Sequence, residues 1–519
     1  MITVYSAKCI GIQAVPVCVE VDVTGGIGIH LVGLADVAVK ESLLRTVTAL
    51  QACGFRIPGK KIIINLAPAD LHKNGSGYDL PIALGILAAT GQIELPDVGL
   101  YLFMGELSLD GQIRGVQGAL PVVDLARSLG ESREGADEPL IRGVVLPLES
   151  AVEAVDFIDE PIYAISNLAE AIRIAKGEGD LSDLLVHARV SNQEEASSWG
   201  GDFPDFSEIL GQDVAKRGME IAAAGCHNVI LIGPPGAGKS SLAKALAGIM
   251  PPMSHEESLQ TSKIYSVSGR KQFVGLMRGR PFRQPHYTSS LAALLGGGSE
   301  QILPGEVSLA HNGVLFLDEF CEAPKRVTEA LRAPLEDRKV VISRLRRKVE
   351  FPASFMLVAA TNPCPCGYYG DGDRCSCSEG RRLAYLARLS GPMMDRIDIQ
   401  LWTPKVDARK LIHKEAGESS AVVAARVLRA REIQRTRFAQ EGIFCNSEMN
   451  NRQMEKYCSL DKPCRELLEK IIVNMGLSAR AYSRIVKLSR TIADLAGVPD
   501  ILPEHISEAA SYRFLDKQI

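Results

Sequence analysis

Val229 to Ile232 is a short apolar run, and Gly233-Pro234-Pro235-Gly236-Ala237-Gly238-Lys239-Ser240 follows it directly. The octet satisfies G-x-x-x-x-G-K-[ST] in full. Leu242, Ala245, Leu246 and Ile249 then recur at helical spacing, so the local order reads strand, glycine loop, helix. Phosphate binding needs that order. Glycines let successive backbone N–H groups curl around a phosphate chain, and a helix N-terminus adds partial positive charge. Lys239 is expected to reach the β and γ phosphates and Ser240 to ligate Mg²⁺. Gly233 through Ser240, with Ser241 beside them, are the candidate nucleotide contacts. A chance glycine-rich turn would not carry both flanks.

A second apolar run, Val314 to Leu317, ends in Asp318-Glu319. Alone, an acidic pair after a strand could cap a helix. Downstream of a phosphate loop, Asp318 is expected to hold Mg²⁺ and Glu319 to polarise an attacking water. A third run, Phe355 to Ala360, ends at Thr361-Asn362, which sets a polar side chain at another strand tip. Strands alternating with helices and Gly-rich turns between Asp205 and about Pro404 predict a parallel α/β sheet.

The 519 residues exceed one compact domain and suggest about three. Residues 1–177 read as mixed α/β, 178–204 as a linker, 205–404 as the nucleotide core and 405–519 as a helical lid domain. In the first part, Val15–Val23 and Lys61–Ala67 read as strands, and Ala35–Cys53 and Leu80–Ala89 as helices. Val37, Leu44, Val47 and Leu50 are expected to be the inner face of the first helix. Residues 131–138 read as a charged loop. Ala421–Phe438 and Arg480–Ala496 read as helices of the last domain.

A net charge of −4 announces no global basic field, so a nucleic-acid surface has to be a local patch. No apolar run reaches membrane-spanning length, and residues 1–9 lack a signal-peptide pattern, so a cytoplasmic location is the expectation. Eight of the twelve cysteines are scattered and read as reduced core thiols. Cys364, Cys366, Cys375 and Cys377 instead fall within fourteen residues, with Gly367, Gly370 and Gly372 between the pairs. Such a loop can supply four soft ligands to Zn²⁺, although C-x-C is tighter than the usual C-x₂-C. A metal-free, redox-sensitive loop is the alternative.

Phosphate loop, Asp-Glu strand, Thr-Asn strand and then Ser390-Gly391-Pro392-Met393-Met394-Asp395-Arg396-Ile397-Asp398 resembles the AAA+ ATPases. More narrowly, the chain resembles the magnesium-chelatase-like branch that contains the ComM and YifB proteins. The specific marks are FRQPH at 282–286, GGG at 296–298, PGEVSLAH at 304–311, LRAPLED at 331–337 and NPCPCG at 362–367. Tyr287 departs from the pattern, where a second histidine is expected. The resemblance implies roles for matching residues. Asn362 would be sensor 1, and Arg396 an arginine finger given to a neighbouring subunit. Arg480 would be the sensor 2 arginine, with Arg484 as the alternative. Ile209 with Gly211-Gln212 would line the adenine pocket.

The N-terminal region resembles the Lon peptidase (S5-type) α+β fold, with Lys73 to Gly77 at the nucleophile loop and Gly105 to Gly111 at the following turn. Leu120 stands where that peptidase needs its lysine base, so the resemblance implies a proteolytically dead module.

Val340 to Phe351 reads as a β-hairpin whose basic end holds Arg344, Arg346, Arg347 and Lys348. In related helicases the insertion before sensor 1 is such a hairpin, so these residues are candidate DNA contacts. A second basic run, Arg426 to Arg437, would line subunit contacts. What the resemblance implies is an ATP- and Mg²⁺-dependent homo-hexameric DNA motor, a branch-migration helicase in the recombination of incoming DNA. A chelatase-type chaperone acting on a protein partner is the rival. A Lon-like protease is disfavoured by Leu120.

Overall fold

The computed structural model describes residues 1–33, 36–73, 75–130, 141–157, 159–190, 203–269, 274–298, 301–344, 347–371, 374–406 and 417–517. The expected loop at 131–138, residues 191–202 of the expected linker, and Arg346 lie outside them.

Alternating apolar residues lay down the N-terminal sheet. Its strands are β1 (Ile2–Ile10), β2 (Gln13–Thr24), β3 (Gly28–Val32), β4 (Lys61–Ala67), β5 (Tyr101–Phe103), β6 (Gly143–Pro147) and β7 (Ile162–Ile165). Their order is β3-β4-β2-β1-β5-β6-β7. β2 runs antiparallel to β1 and β4, and the remaining neighbours are parallel. Helix α1 (Val37–Ala52) packs beside α2 (Asp79–Ala89), which is apolar on nearly every side and buried from Asp79 to Leu87.

The inner face of α1 differs from expectation. Leu44 is 73% exposed, and the buried stripe is Val39, Ser42, Thr46, Ala49 and Leu50. Two polar residues disguise that stripe. Ser42 faces inward because its hydroxyl donates to the buried Asp79 carboxylate. Arg45 Nε and the Leu107 N–H also donate to Asp79, each at 3.1 Å. Burial pushes the Asp79 carboxyl up to about 6, against the pull of Ser42 and Arg45.

The N-terminal unit is not a bead on a string. Helix α3 (Ala119–Gly130) packs on a helix of the nucleotide core, α5 (His255–Ser268), which follows α4 (Lys239–Ile249). Leu120, Val123 and Leu146 share one apolar cluster with Ile264, Tyr265, Met277 and Leu309. Polar contacts rim the joint. Lys263 Nζ meets Asp124 Oδ2 at 2.6 Å, and the Leu276 N–H donates to Asp156 Oδ2 at 2.6 Å. Leu184 and Val186 are buried in the N-terminal clusters, so its packing runs beyond residue 177.

The core sheet contains β8 (Val229–Ile232), β9 (Phe282–Arg283), β10 (Val314–Leu317), β13 (Met356–Thr361) and β14 (Ile399–Trp402). Between β10 and β13 lies a separate hairpin, β11 (Lys339–Arg344) and β12 (Arg347–Pro352). The sheet order is β9-β10-β13-β8-β14, and every pairing is parallel. Strands buried on both faces explain the unbroken apolar runs. Asn228 fixes the register at their starts. Its Oδ1 accepts from the Leu357 N–H at 2.8 Å, its Nδ2 donates to the Arg396 carbonyl at 2.8 Å, and its N–H donates to Asp398 Oδ2 at 3.0 Å.

The C-terminal helices Ser420–Arg437 and Ala479–Ala496 share one core with the sheet through the helix Asp213–Gly225. Three arginines of the second basic run have partners inside the chain. Arg426 pairs with Glu220 and Glu418, Arg437 pairs with Asp494, and Arg431 donates to the Phe444 carbonyl. Among the described residues, no helix is long and apolar enough to cross a membrane.

His311 links the joint helix to the hairpin side of the core. Its Nδ1 accepts from the Ser354 N–H at 3.0 Å, and its Nε2 lies 3.3 Å from Gln260 Oε1. Burial pushes the imidazole down to about 4. An unfolded histidine takes up a proton near pH 6.5, so the unfolded chain gains a proton that the fold refuses. Stability is therefore expected to be full above pH 6.5 and to fall towards pH 4, by on the order of 3 kcal/mol from this group. Melting curves between pH 7 and 5 should be steeper in pH for the wild type than for His311→Asn; parallel slopes would remove His311 as the cause.

Candidate functional site

In a parallel sheet all the strand exits lie on one edge. Here β8 runs into Gly233, β10 into Asp318, and β13 into Asn362. Gly236 and Gly238 hold φ of +78° and +84°, a region that side chains resist, and that turn lets the loop close before helix α4 begins at Lys239. Lys239 is buried, and its ammonium donates to the Gly233 and Pro234 carbonyls at 2.6 and 3.0 Å and to Asn362 Oδ1 at 3.4 Å. Burial lowers its pKa, while Asp318 and Glu319 draw it back up.

Ser240 Oγ donates to Asp318 Oδ2 at 3.1 Å, and the other oxygen of Asp318 accepts from the Glu319 N–H at 2.9 Å. A hydroxyl and a carboxylate in contact beside a phosphate loop fit the hard-oxygen ligands of Mg²⁺. Glu319 is exposed and sits at φ +51°, a left-handed conformation that costs on the order of 1–3 kcal/mol outside glycine. Gln212, also left-handed, donates to the Ala237 and Pro404 carbonyls at 3.1 and 2.6 Å. Its buried Oε1 has no partner, and Ile209 is buried nearby in sequence. Ser241 is exposed on the first turn of α4.

The arginines lie elsewhere. Arg396, Arg480 and Arg484 line a cavity of about 520 Å³ together with Asn228, Gly313, Phe355 and Asp398, which stand at the strand entrances. A four-residue strand spans about 13 Å, so the sheet separates these arginines from Lys239. Arg396 donates to the Pro392 carbonyl at 2.6 Å and pairs with Glu336, while its buried Nε is unpartnered. Arg480 is exposed and donates to Asp395 Oδ2 at 2.9 Å. Arg484 pairs with Asp398. Burial opposes the Asp398 charge, yet Arg484, His227 and the Asn228 N–H hold it well below the usual carboxylate range.

Other sequence marks converge. Arg283 of FRQPH meets Glu306 of PGEVSLAH at 2.7 Å, and Glu336 of LRAPLED is the partner of Arg396. The His286 ring lies 4.5 Å from that of Tyr287. Asn228 and Thr403, which closes on the Ile232 carbonyl at 2.8 Å, were missed by sequence reasoning. Neither belongs to a spaced motif, and only their position at a strand end gives them a role.

The hairpin has two faces. Val340, Val349 and Phe351 are buried, whereas Val341, Ser343, Lys348 and Glu350 are exposed. Lys348 lies 3.7 Å from Glu350. Of Arg344 and Arg347 the backbone alone is described, and the two are paired across the turn. The apolar face packs with Val267, Cys9 and Ile12. The four clustered cysteines bring their sulfurs within 4.8 Å of one another.

Known proteins are similar in sequence. The family described as magnesium chelatase, subunit ChlI, matches residues 205–411; that of subunit ChlI of Mg-chelatase matches 19–133, and the ChlI C-terminal family matches 417–513. YifB of Salmonella typhimurium is 40% identical over 516 residues, covering 99% of this chain and 97% of its own. Competence protein ComM of Haemophilus influenzae is 40% identical over 512 residues, covering 98% of this chain and 97% of its own. The magnesium-chelatase 67 kDa subunit of Chlorobaculum parvum is 26% identical over 160 residues, 30% of this chain and 23% of that one.

The geometry assigns separable roles to two residues. Lys239→Ala is expected to abolish binding of a fluorescent ADP analogue. Glu319→Gln should keep that binding and lower ATP turnover by ~10²-fold or more, the usual size of a lost general base. Wild-type turnover by Glu319→Gln would take Glu319 out of the chemistry.

Proposed function

The chain belongs to the ComM/YifB group of magnesium-chelatase-like AAA+ proteins, and we propose that it is an ATP-hydrolysing ring motor that moves on DNA. One observation carries this reading: the phosphate loop and the arginine cluster occupy opposite edges of a single parallel sheet. An arginine that cannot reach its own γ-phosphate can reach one only across a subunit interface. Copies stacked head to tail would each meet a neighbour's phosphate loop with Arg396, and a rotation that closes gives a ring. A hexamer is the family's expectation.

In that ring, Gly233 to Ser241 hold the phosphates, Lys239 neutralises them, and Ser240 with Asp318 would hold Mg²⁺, which supplies charge neutralisation at the phosphates. Glu319 orients and deprotonates the attacking water. Asn362, in contact with Lys239, sits where the state of the γ-phosphate is felt. Arg396 stabilises charge on the neighbour's transferring phosphoryl group. Glu336 holds its guanidinium until that neighbour arrives.

DNA enters the reading through the hairpin and through ComM, whose name refers to competence. Arg344, Arg347 and Lys348 belong to the paired ribbon, and Arg346 adds a fourth cation to the same stretch of sequence. Such a tip binds phosphate backbone without reading sequence. Branch migration during recombination of incoming DNA is the specific activity we assign. Remodelling of a protein partner, as a chelatase motor would do, draws on the partial likeness to the magnesium-chelatase subunit. Proteolysis has no support: Leu120 is wholly buried, and the Ser76 hydroxyl is given to Glu106.

DNA-stimulated ATPase measured alongside strand displacement distinguishes a DNA motor from a protein remodeller. Arg346, Arg347 and Lys348 replaced together by Ala should leave basal ATPase and assembly intact, flatten the salt dependence of DNA binding, and abolish strand displacement. Full unwinding by that variant would show that DNA is gripped elsewhere. Separately, mixtures of Arg396→Ala with Lys239→Ala subunits should regain turnover, because one mutant's loop meets the other's arginine. A finger is worth ~10³-fold or more, so restored interfaces stand far above either parent. Mixed rings that stay as inactive as the parents would sink the cross-subunit role.

A further inference from the structure

Strand β13 delivers Asn362 to the nucleotide edge, and the chain then makes an elaborate turn before the helix Glu379–Leu386. Four thiols crowd that turn. Cys364 Sγ lies 3.3 Å from Cys366 Sγ and 3.7 Å from Cys375 Sγ, and Cys366 and Cys375 are 3.6 Å apart. Cys377 completes a group in which all four sulfurs fall within 4.8 Å. A tetrahedral zinc tetrathiolate has Zn–S bonds of about 2.3 Å, which sets its sulfur–sulfur edges at about 3.8 Å. The group therefore has nearly the dimensions of the coordination shell. Disulfides would need about 2.0 Å, and all four cysteines are free.

Contacts among its own side chains hold the loop in shape. The nearby carboxylate, Asp371, is occupied by Arg374 at 3.3 Å and Lys405 at 3.4 Å. Arg374 lies over the Tyr368 ring and Arg382 over the Tyr369 ring, at 5.4 and 4.2 Å, so two guanidinium groups flank the loop. Each guanidinium is itself paired, Arg374 with Asp371 and Arg382 with Glu379 at 3.9 Å.

The same turn roofs the phosphate loop. The Gly367 N–H donates to the Cys364 carbonyl at 3.0 Å, which closes the first cysteine pair into a knuckle. Gly367 has φ +84°, and a Cβ there would come within 3.2 Å of Pro235 Cγ and 3.8 Å of Asn362 Cγ. The knuckle thus touches both the phosphate loop and the sensor side chain. Further along, Tyr369 packs edge-on against Trp402 at 6.2 Å, which ties the turn to the end of β14.

We propose that Cys364, Cys366, Cys375 and Cys377 bind one Zn²⁺ per chain, and that the ion fixes the knuckle against Pro235 and Asn362. Each cysteine ligates as a thiolate, its proton passes to solvent, and nothing is oxidised or reduced. The metal assignment stands on the thiol geometry alone, whereas its effect on nucleotide binding rests on the nucleotide reading of the phosphate loop. Zinc is then a structural part of the nucleotide pocket, although it never meets the phosphates.

The test uses the full chain purified without chelators. Metal analysis should return one zinc per chain, and Cys364→Ser with Cys375→Ser should reduce it to background. Exchange with Co²⁺ should give the visible bands of a tetrahedral cobalt tetrathiolate. Zinc loss should weaken binding of a fluorescent ADP analogue by about tenfold, equivalent to about 1.4 kcal/mol of lost preorganisation in the pocket. Should the double variant fail to fold, the wild-type chain stripped with a mercurial reagent and returned to reductant serves instead, with zinc re-addition restoring affinity. A metal-free chain, iron in place of zinc, cystine in that loop by mass spectrometry, or zinc that survives the double substitution overturns the site. One zinc per chain with nucleotide affinity unmoved by its removal overturns the coupling and leaves the metal in place.

Discussion

Parallel strands give a sheet two unlike edges, and this inequality organises the molecule. Every strand of the core leaves on the same side, so Gly233, Asp318 and Asn362 arrive together although they are far apart in the chain. Every strand also enters on the same side, where Asn228 and Asp398 tie the starts and arginines gather. Register is what makes the arrangement sharp. Ile232 pairs with both Thr361 and Trp402, so the phosphate loop and the sensor residue start from one level. A slip of one residue would turn buried faces outward and part Lys239 from Asn362.

Charge follows the same division. At the exit edge a lone buried ammonium faces two carboxylates, Asp318 and Glu319. At the entrance edge, Asp395, Asp398 and Glu336 each hold one arginine. Those arginines are arranged by local carboxylates rather than left to solvent, so their positions are set before any partner surface is presented. The Arg484–Asp398 pair is the most enclosed of the three, and it joins a C-terminal helix to the first residue before β14. The helical domain is thereby tied to the sheet's entrance edge, while its helix Ser420–Arg437 also packs on α4, which follows the phosphate loop.

Much of this was legible in the chain. The runs at 229–232 and 314–317 are strands with those bounds, and the run at 355–360 is a strand displaced by one residue, because buried parallel strands are written as unbroken apolar letters. The hairpin was legible from strand-like residues on either side of a basic tip, and its second strand alternates, with Val349 and Phe351 buried and Lys348 and Glu350 exposed. Helix α1 was misread on one face because its inward residues at 42 and 46 are polar, and a hydropathy pattern cannot register a hydroxyl that is buried to satisfy Asp79. Arg480 was found by its motif, but its distance from the phosphate loop is a property of the fold. Nothing in its neighbours announces which edge of the sheet it will occupy.

The joint between the N-terminal unit and the nucleotide core has a consequence for how the chain can be divided. Leu120 and Val123 on one side, and Ile264, Tyr265 and Met277 on the other, form a single dry seam. A shortened protein beginning near residue 205 would present the second half of that seam to water, and contiguous apolar surface of this kind drives self-association. The boundary suggested by composition is thus not a place where the molecule can be cut. The hairpin base rests on the same unit, where a side chain at Gly11 would come within 2.8 Å of the Glu350 carbonyl. The hairpin therefore has no free space on that side, and any swing towards the N-terminal unit would press on the first β-turn of the protein.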